Sequence, residues 1–109
     1  IEQIIISTEK NPVVSARAKK LDIYCLQGIE NKKYALKKYC QNNNIELKKV
    51  AYIGNDINDK EVMEIAGTTY CPSDAHKSIQ IISDYILKTK GGAGVVRELL
   101  NLITNNKGE

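Results

Sequence analysis

The chain has 109 residues, which is enough for one domain with a modest buried core. Its 16 basic and 13 acidic residues give a net charge of +3, and 42% of the residues are hydrophobic, as in ordinary globular domains. The lysines are scattered in pairs, Phe and Trp are absent, and no apolar run reaches the length of a membrane span. We therefore expect neither a nucleic acid nor a membrane as a partner.

Short apolar runs alternate with amphipathic stretches along the whole chain. The predicted strands are Gln3–Ser7, Ile23–Leu26, Val50–Ile53, Thr68–Cys71 and the brief Tyr85–Leu87. The first two predicted helices run from Asn11 to about Leu21 and from Asn31 or Lys32 to a frayed end at Asn42–Asn44. The next two run from about Asn58 to Ala66 and from Ser73 or Asp74 to about Ile82. The last runs from the glycine-rich segment 91–94 through Ile103, and a loose polar tail follows from Asn105. This alternation predicts an α/β fold, with helices on both faces of a parallel sheet, in a single domain over residues 1–109.

The three cysteines are an odd number without metal-ligand spacing. Cys25 and Cys71 fall in apolar runs, where a thiol acts as a small hydrophobic group. This usage is typical of a reducing compartment, so we expect a cytoplasmic protein.

A polar loop follows the third predicted strand directly. After Gly54 come two carboxamides and two carboxylates, which we call the acidic loop: Asn55, Asp56, Asn58 and Asp59. Hard oxygen donors at the carboxyl end of a strand are the ligands that Mg²⁺ prefers. The alternative is a solvated turn whose side chains cap the next helix. The loop alone does not decide between the two.

Two further polar features follow predicted strands. Ser7 and Thr8 come at the end of the first strand, and Lys32 comes after the second. In a parallel sheet these residues and the acidic loop would meet at one edge. Hydroxyl and backbone N–H groups there could hold phosphate oxygens, the lysine could neutralise their charge, and Mg²⁺ could bridge phosphate to protein. Taken singly, Ser7–Thr8 could be only a turn and Lys32 only a solvated lysine.

Five blocks in this order give the chain a family resemblance. They are ISTEKNPVVSARAKKLDI, QGIENK, VAYIGNDINDKEVM, CPSDAH and GGAGVVRELLNLI. Together they resemble the haloacid dehalogenase-like (HAD) phosphohydrolase superfamily. Within it the chain is most similar to the 3-deoxy-manno-octulosonate 8-phosphate phosphatase branch and to the C-terminal domain of bacterial acylneuraminate cytidylyltransferases.

The resemblance implies a Rossmann-like three-layer fold and a set of roles. It implies a catalytic and phosphate-binding Lys32, phosphate binding by Ser7 and Thr8, Mg²⁺ ligands at Asn55, Asp56 and Asp59, and a weaker substrate contact from Arg97. The implied substrate is a phosphorylated sugar acid, a nonulosonate or octulosonate phosphate. The implied assembly is a homo-oligomer, a tetramer by resemblance. His76 is expected in the first turn of a helix rather than in catalysis.

The chain departs from the family pattern in two ways. No strand ending in DxDG occurs, so no residue can be given the role of the aspartate nucleophile or of its acid/base partner. The chain is thus expected to be a partial domain without the first strand. In addition, Asn55 stands where many members carry a metal-binding aspartate, which lowers the expected metal affinity.

Two functions therefore remain open. The first is a Mg²⁺-dependent sugar-acid phosphatase domain, and the second is a non-catalytic assembly module of a cytidylyltransferase. A phosphoacceptor receiver domain is not favoured, because the first strand ends in Ser7–Thr8 rather than in acidic residues.

The absent strand predicts weakened folding. In the family it lies between the strands that match Gln3–Ser7 and Val50–Ile53, so the sheet must close up, accept a strand from another chain, or leave edges exposed. We expect low stability or self-association, measured by sedimentation and thermal unfolding at several concentrations. A sharp unfolding transition of a monomer in dilute solution would contradict this expectation.

Overall fold

The computed structural model describes residues 3–8, 24–27, 31–90 and 93–107. Its strands are β1 (Gln3–Thr8), β2 (Tyr24–Gln27), β3 (Val50–Ile53), β4 (Thr68–Cys71) and β5 (Tyr85–Ile86). Its α-helices are α1 (Lys32–Asn42), α2 (Lys60–Ile65), α3 (Lys77–Ile82) and α4 (Ala93–Lys107), and short 3₁₀ turns at Leu47–Lys49 and Ile57–Asp59 precede β3 and α2. The helix predicted from Asn11 to Leu21 lies outside the described residues.

The five strands form one parallel sheet in the order β2-β1-β3-β4-β5. All four residues of β3 are buried, as expected for a strand covered on both faces. Val50 and Tyr52 belong to a core with α1, α2 and α3, whereas Ala51 and Ile53 belong to a second core with α4. The predicted three-layer α/β fold is thus confirmed.

The sheet is closed between β1 and β3. These strands pair directly, with Gln3 opposite Val50 and Ile6 opposite Ile53. Direct closure is one of the three outcomes expected from the sequence, and the structure has it. Low stability and self-association stay predictions.

Three helix boundaries differ from those predicted. Helix α2 begins at Lys60 rather than at about Asn58, because Ile57–Asp59 form a 3₁₀ turn. Helix α3 begins at Lys77 rather than at Ser73 or Asp74, because residues 72–75 form a turn in which Ala75 N–H donates to the carbonyl of Pro72. Helix α4 continues to Lys107 although a loose tail was expected from Asn105. Once its apolar face is anchored, each added residue contributes another backbone hydrogen bond, so polar residues extend the helix.

Cys40 and Cys71 both lie buried in the core that contains α1. Burial raises the pKa of each thiol, and a hydrogen bond with Ser83 only partly opposes this effect at Cys71. The two residues therefore behave as small hydrophobic groups. Within the described ranges, no helix is both long and apolar enough to cross a membrane.

Candidate functional site

The carboxyl ends of the parallel strands bring the predicted polar residues to one edge of the sheet. Ile6 of β1 pairs with Ile53 of β3, so the backbone of Ser7 lies level with the start of the acidic loop. Thr8 pairs with Gln27 at the end of β2. The side chains of Ser7 and Thr8 lie outside the described part of the structure, so their predicted phosphate contacts stay predictions.

Asp59 lies at the centre of a buried hydrogen-bond network. Its side chain is fully buried, and Oδ1 accepts from Lys32 Nζ at 3.0 Å and from the Tyr52 hydroxyl at 2.9 Å. Oδ2 accepts from the backbone N–H of Asn55 at 2.9 Å and of Asp56 at 3.2 Å. An ionised carboxylate only accepts hydrogen bonds, so it suits a position that faces four donors.

Lys32 is the first residue of α1 and is only 5% exposed. Its ammonium donates to Asp59 and, at 3.0 Å, to Oδ1 of Asn58. Because a buried charge is costly unless it is paired and hydrogen-bonded, these contacts hold the lysine at the carboxyl edge of the sheet. They also join α1 to a loop 26 to 27 residues further along the chain.

The remaining carboxylate of the acidic loop faces solvent more openly. Asp56 is half-buried and Asn55 is exposed. Asp56 caps the 3₁₀ turn, with Ile57 N–H donating to its Oδ1 at 2.7 Å, and it forms a reciprocal capping box with Asp59. Helix-end capping, the alternative to a metal site, is therefore present, but it does not bury Asn55 or Asp56.

The accessible oxygens of this loop provide only a few ligands for a hard divalent cation. Among the described residues no group of three or more His, Cys, Asp or Glu is arranged to hold a metal. The accessible side-chain donors are the carboxylate of Asp56 and the carboxamides of Asn55 and Asn58, of which the Asn58 oxygen already accepts from Lys32. Carboxylate and carboxamide oxygens are ligands of the kind that Mg²⁺ accepts, although a single carboxylate supplies little charge.

Close packing under the loop requires a glycine at position 54. A Cβ atom there would lie 2.6 Å from Sδ of Met63 and 2.9 Å from Cβ of Asp59. The chain turns from β3 into the acidic loop directly over the Asp59 side chain. Only a residue without a side chain fits at this turn.

His76 lies beside the acidic loop as a structural residue. Its backbone N–H donates to the carbonyl of Asn55 at 3.1 Å, and its ring Nδ1 accepts from Ser78 N–H at 3.1 Å at the start of α3. The residue is the N-cap of that helix and lies just before it, whereas the sequence predicted it inside the first turn.

Arg97 is not joined to this network by any described contact. It is exposed on α4 and lines a separate groove of about 490 Å³. The described lining of this groove includes neither Lys32 nor the acidic loop: Lys88, Thr89, Gly94, Arg97, Glu98, Asn101 and Leu102. Its predicted substrate contact stays a prediction.

Glu98 orders the segment that precedes α4, a role the sequence pattern does not indicate. Its carboxylate accepts from the backbone N–H of Lys88 and of Thr89, each at 2.8 Å. Partial burial alone would raise the pKa of Glu98. Three hydrogen bonds, from the Thr89 side chain and the two backbone groups, and the nearby Lys88 charge act in the opposite direction. Together they outweigh the effect of burial and hold the pKa of Glu98 below its ordinary value.

Tyr52 is a further site residue that the sequence pattern did not single out. A tyrosine in an otherwise apolar buried strand is the available signal, because its hydroxyl needs a partner inside the core. In the structure the partner is Asp59, seven residues further on.

Comparison with known proteins gives a consistent result. A family model described as haloacid dehalogenase-like hydrolase matches residues 2–99. The 3-deoxy-D-manno-octulosonate 8-phosphate phosphatase of Escherichia coli K12 is 34% identical over 110 aligned positions, which cover 100% of this chain and 58% of that enzyme. The Salmonella typhi enzyme of the same name is 36% identical with the same coverage. The chain thus spans 58% of the length of these relatives.

Solved structures agree with these relatives. The Moraxella catarrhalis 3-deoxy-D-manno-octulosonate 8-phosphate phosphatase, in complex with magnesium, phosphate and KDO, superposes with a TM-score of 0.77 at 35% identity, covering 94% of this chain and 59% of that one. The cobalt-bound Haemophilus influenzae phosphatase gives a TM-score of 0.78 at 26% identity, covering 96% and 62%.

The Asp59 network predicts the effect of an isosteric change. In Asp59→Asn the amide NH₂ must face either the two backbone N–H groups or the Lys32 and Tyr52 donors, so one pair loses its acceptor. We expect the free energy of unfolding to fall by about 3 kcal/mol. Urea denaturation measures this, with Glu64→Gln, an exposed carboxylate of α2, as the control. Equal stability of the two variants would mean that Asp59 does not support the loop.

Proposed function

Since this chain belongs to the haloacid dehalogenase-like hydrolase family, we propose that it supplies the phosphate- and metal-binding part of a Mg²⁺-dependent phosphatase for a phosphorylated sugar acid. The observation that carries the proposal is the buried Lys32–Asp59 pair beside the accessible oxygens of Asn55 and Asp56. The names of the relatives, and the magnesium, phosphate and KDO of the Moraxella complex, support the choice of substrate and cation.

The roles follow from charge and position. Lys32 would offset the negative charge of the phosphoryl group, and Ser7 and Thr8 would hold its oxygens at the end of β1. Asp56 and Asn55 would hold the cation, which when bound would lower the repulsion between phosphate and incoming nucleophile.

Asp59 is grouped with the metal ligands by resemblance, but its surroundings favour another role. Both of its oxygens already accept hydrogen bonds, and the side chain has no exposure to solvent. We assign it to positioning: it holds the Lys32 ammonium and the backbone of the acidic loop in a fixed relation.

A second candidate is a non-catalytic module in an acylneuraminate cytidylyltransferase-type protein. It is favoured by Asn55, which adds no charge to the metal site. The coding sequence upstream of Ile1 discriminates the two, because a DxDG strand alone implies a phosphatase and a nucleotidyltransferase domain implies the fused protein. In either case a cytoplasmic location and a homo-oligomer, a tetramer by resemblance, belong to the proposal.

Metal binding tests the assigned donors. Titration of the chain with Mg²⁺, followed by calorimetry or by NMR shifts of the acidic loop, should show weak binding that Asp56→Asn abolishes. Asn55→Asp adds a charged ligand and should tighten binding about tenfold. The exposed Glu64→Gln serves as a charge-matched control and should not change it. Unchanged affinity in Asp56→Asn would reject this carboxylate as a ligand.

Catalysis by the 109-residue chain alone is a separate test. With no aspartate in a DxDG sequence to accept the phosphoryl group, we expect no Mg²⁺-dependent hydrolysis of a sugar-acid phosphate in a phosphate-release assay. Robust turnover would show that another residue acts as nucleophile.

A further inference from the structure

A cavity of about 330 Å³ lies on the outer side of Lys32, between the start of α1 and the start of α2. Its described lining residues are Asn31, Lys32, Lys33, Ile57, Asn58 and Glu61. It shares Lys32 and Asn58 with the buried network but contains neither Asn55 nor Asp56, the proposed cation donors. A ligand with its phosphate near Lys32 could therefore extend into this cavity without displacing the cation.

The two amide side chains of the cavity are oriented by bonds made elsewhere. Oδ1 of Asn31 accepts from Tyr34 N–H at 3.0 Å, and Oδ1 of Asn58 accepts from Lys32 Nζ at 3.0 Å. A carboxamide has its acceptor on one side and two N–H donors on the other. Each oxygen already accepts one hydrogen bond inside the protein, so we expect these exposed side chains to meet a ligand mainly through their N–H groups.

The remaining lining groups define the ligand chemistry further. Lys33 is half-buried and contributes an ammonium with three more donors. Glu61 is the one carboxylate among the described lining residues, and Ile57, which is 55% exposed, provides an apolar wall. A cavity rich in donors, with one acceptor and one apolar side, suits an anionic ligand that also carries hydroxyl and C–H groups. Its volume is at the lower end of small-molecule sites.

We propose that this cavity receives the carboxylate-bearing portion of a sugar acid, and that Lys33 is the residue that selects for the carboxylate. The N–H groups of Asn31 and Asn58 add hydrogen bonds to carboxylate or hydroxyl oxygens, and Glu61 accepts from a hydroxyl. The inference rests on the proposed function for the phosphate end of the ligand. It adds the part of the molecule that distinguishes a sugar acid from a neutral sugar.

The test is an NMR titration of the ¹⁵N-labelled chain in Mg²⁺ with three probes: inorganic phosphate, an unphosphorylated 2-keto-3-deoxy sugar acid, and the methyl ester of that acid. We expect the sugar acid to shift the amide signals of Asn31, Lys33 and Asn58. The ester, which lacks the negative charge, should bind about tenfold more weakly. Inorganic phosphate should instead shift the signals of Lys32 and Asp56.

Matched lysine variants make the test specific. Lys33→Ala should weaken sugar-acid binding about tenfold and leave phosphate binding unchanged, whereas Lys37→Ala, an exposed lysine one turn further along α1, should change neither. If Lys33→Ala loses its folded spectrum, Lys33→Gln removes the charge while keeping most of the side chain.

The two proposals fail in different ways. If acid and ester bind equally, or if Lys33→Ala and Lys37→Ala behave alike, the cavity does not select a carboxylate and the inference is overturned, even when phosphate shifts Lys32 and Asp56. If phosphate shifts neither Lys32 nor Asp56, the proposed function is overturned, whatever the cavity signals do.

Discussion

The carboxylate of Asp59 is the constraint on which the site depends. It is buried where only an acceptor can satisfy the surrounding donors, and those donors come from a helix, a strand and a loop: Lys32 from α1, Tyr52 from β3, and the backbone of Asn55 and Asp56. An uncompensated charge at this depth would be strongly unfavourable, so the pair is stable only as a complete network. The position of the lysine and the shape of the acidic loop are therefore fixed together.

This network separates the polar residues of the loop into two kinds. Asp59 and Lys32 are withdrawn from solvent and satisfy each other, whereas Asn55 and Asp56 stay accessible because Asp59 holds their backbone N–H groups from below. Loop residues can bind a ligand with little reorganisation when their backbone is already fixed. The buried pair thus prepares the exposed oxygens without itself needing to bind a cation.

The sheet places this network and the outer cavity on either side of one lysine. Because β1 pairs directly with β3, the ends of both strands and the start of α1 share one edge. Asn58 belongs to both: its oxygen anchors Lys32, and its side chain lines the cavity. An orienting bond inside the protein thereby decides which hydrogen bonds remain for a ligand.

The sequence by itself determined the alternation of strands and helices, the family, and the three polar segments at or after the ends of strands. Those features are encoded locally: apolar periodicity marks each element, Ser7 ends a predicted strand, and Lys32 and Asp56 lie in polar segments that come after strands. Only the tertiary structure decided that Asp59 faces four donors, that Tyr52 belongs to the site, and that Asn58 anchors Lys32. Tyr52 gave only a weak signal, a hydroxyl in an apolar run, because the partners of a buried polar group are chosen by packing between elements distant in the chain. Side-chain periodicity reports which face of an element is buried, but not what that face meets.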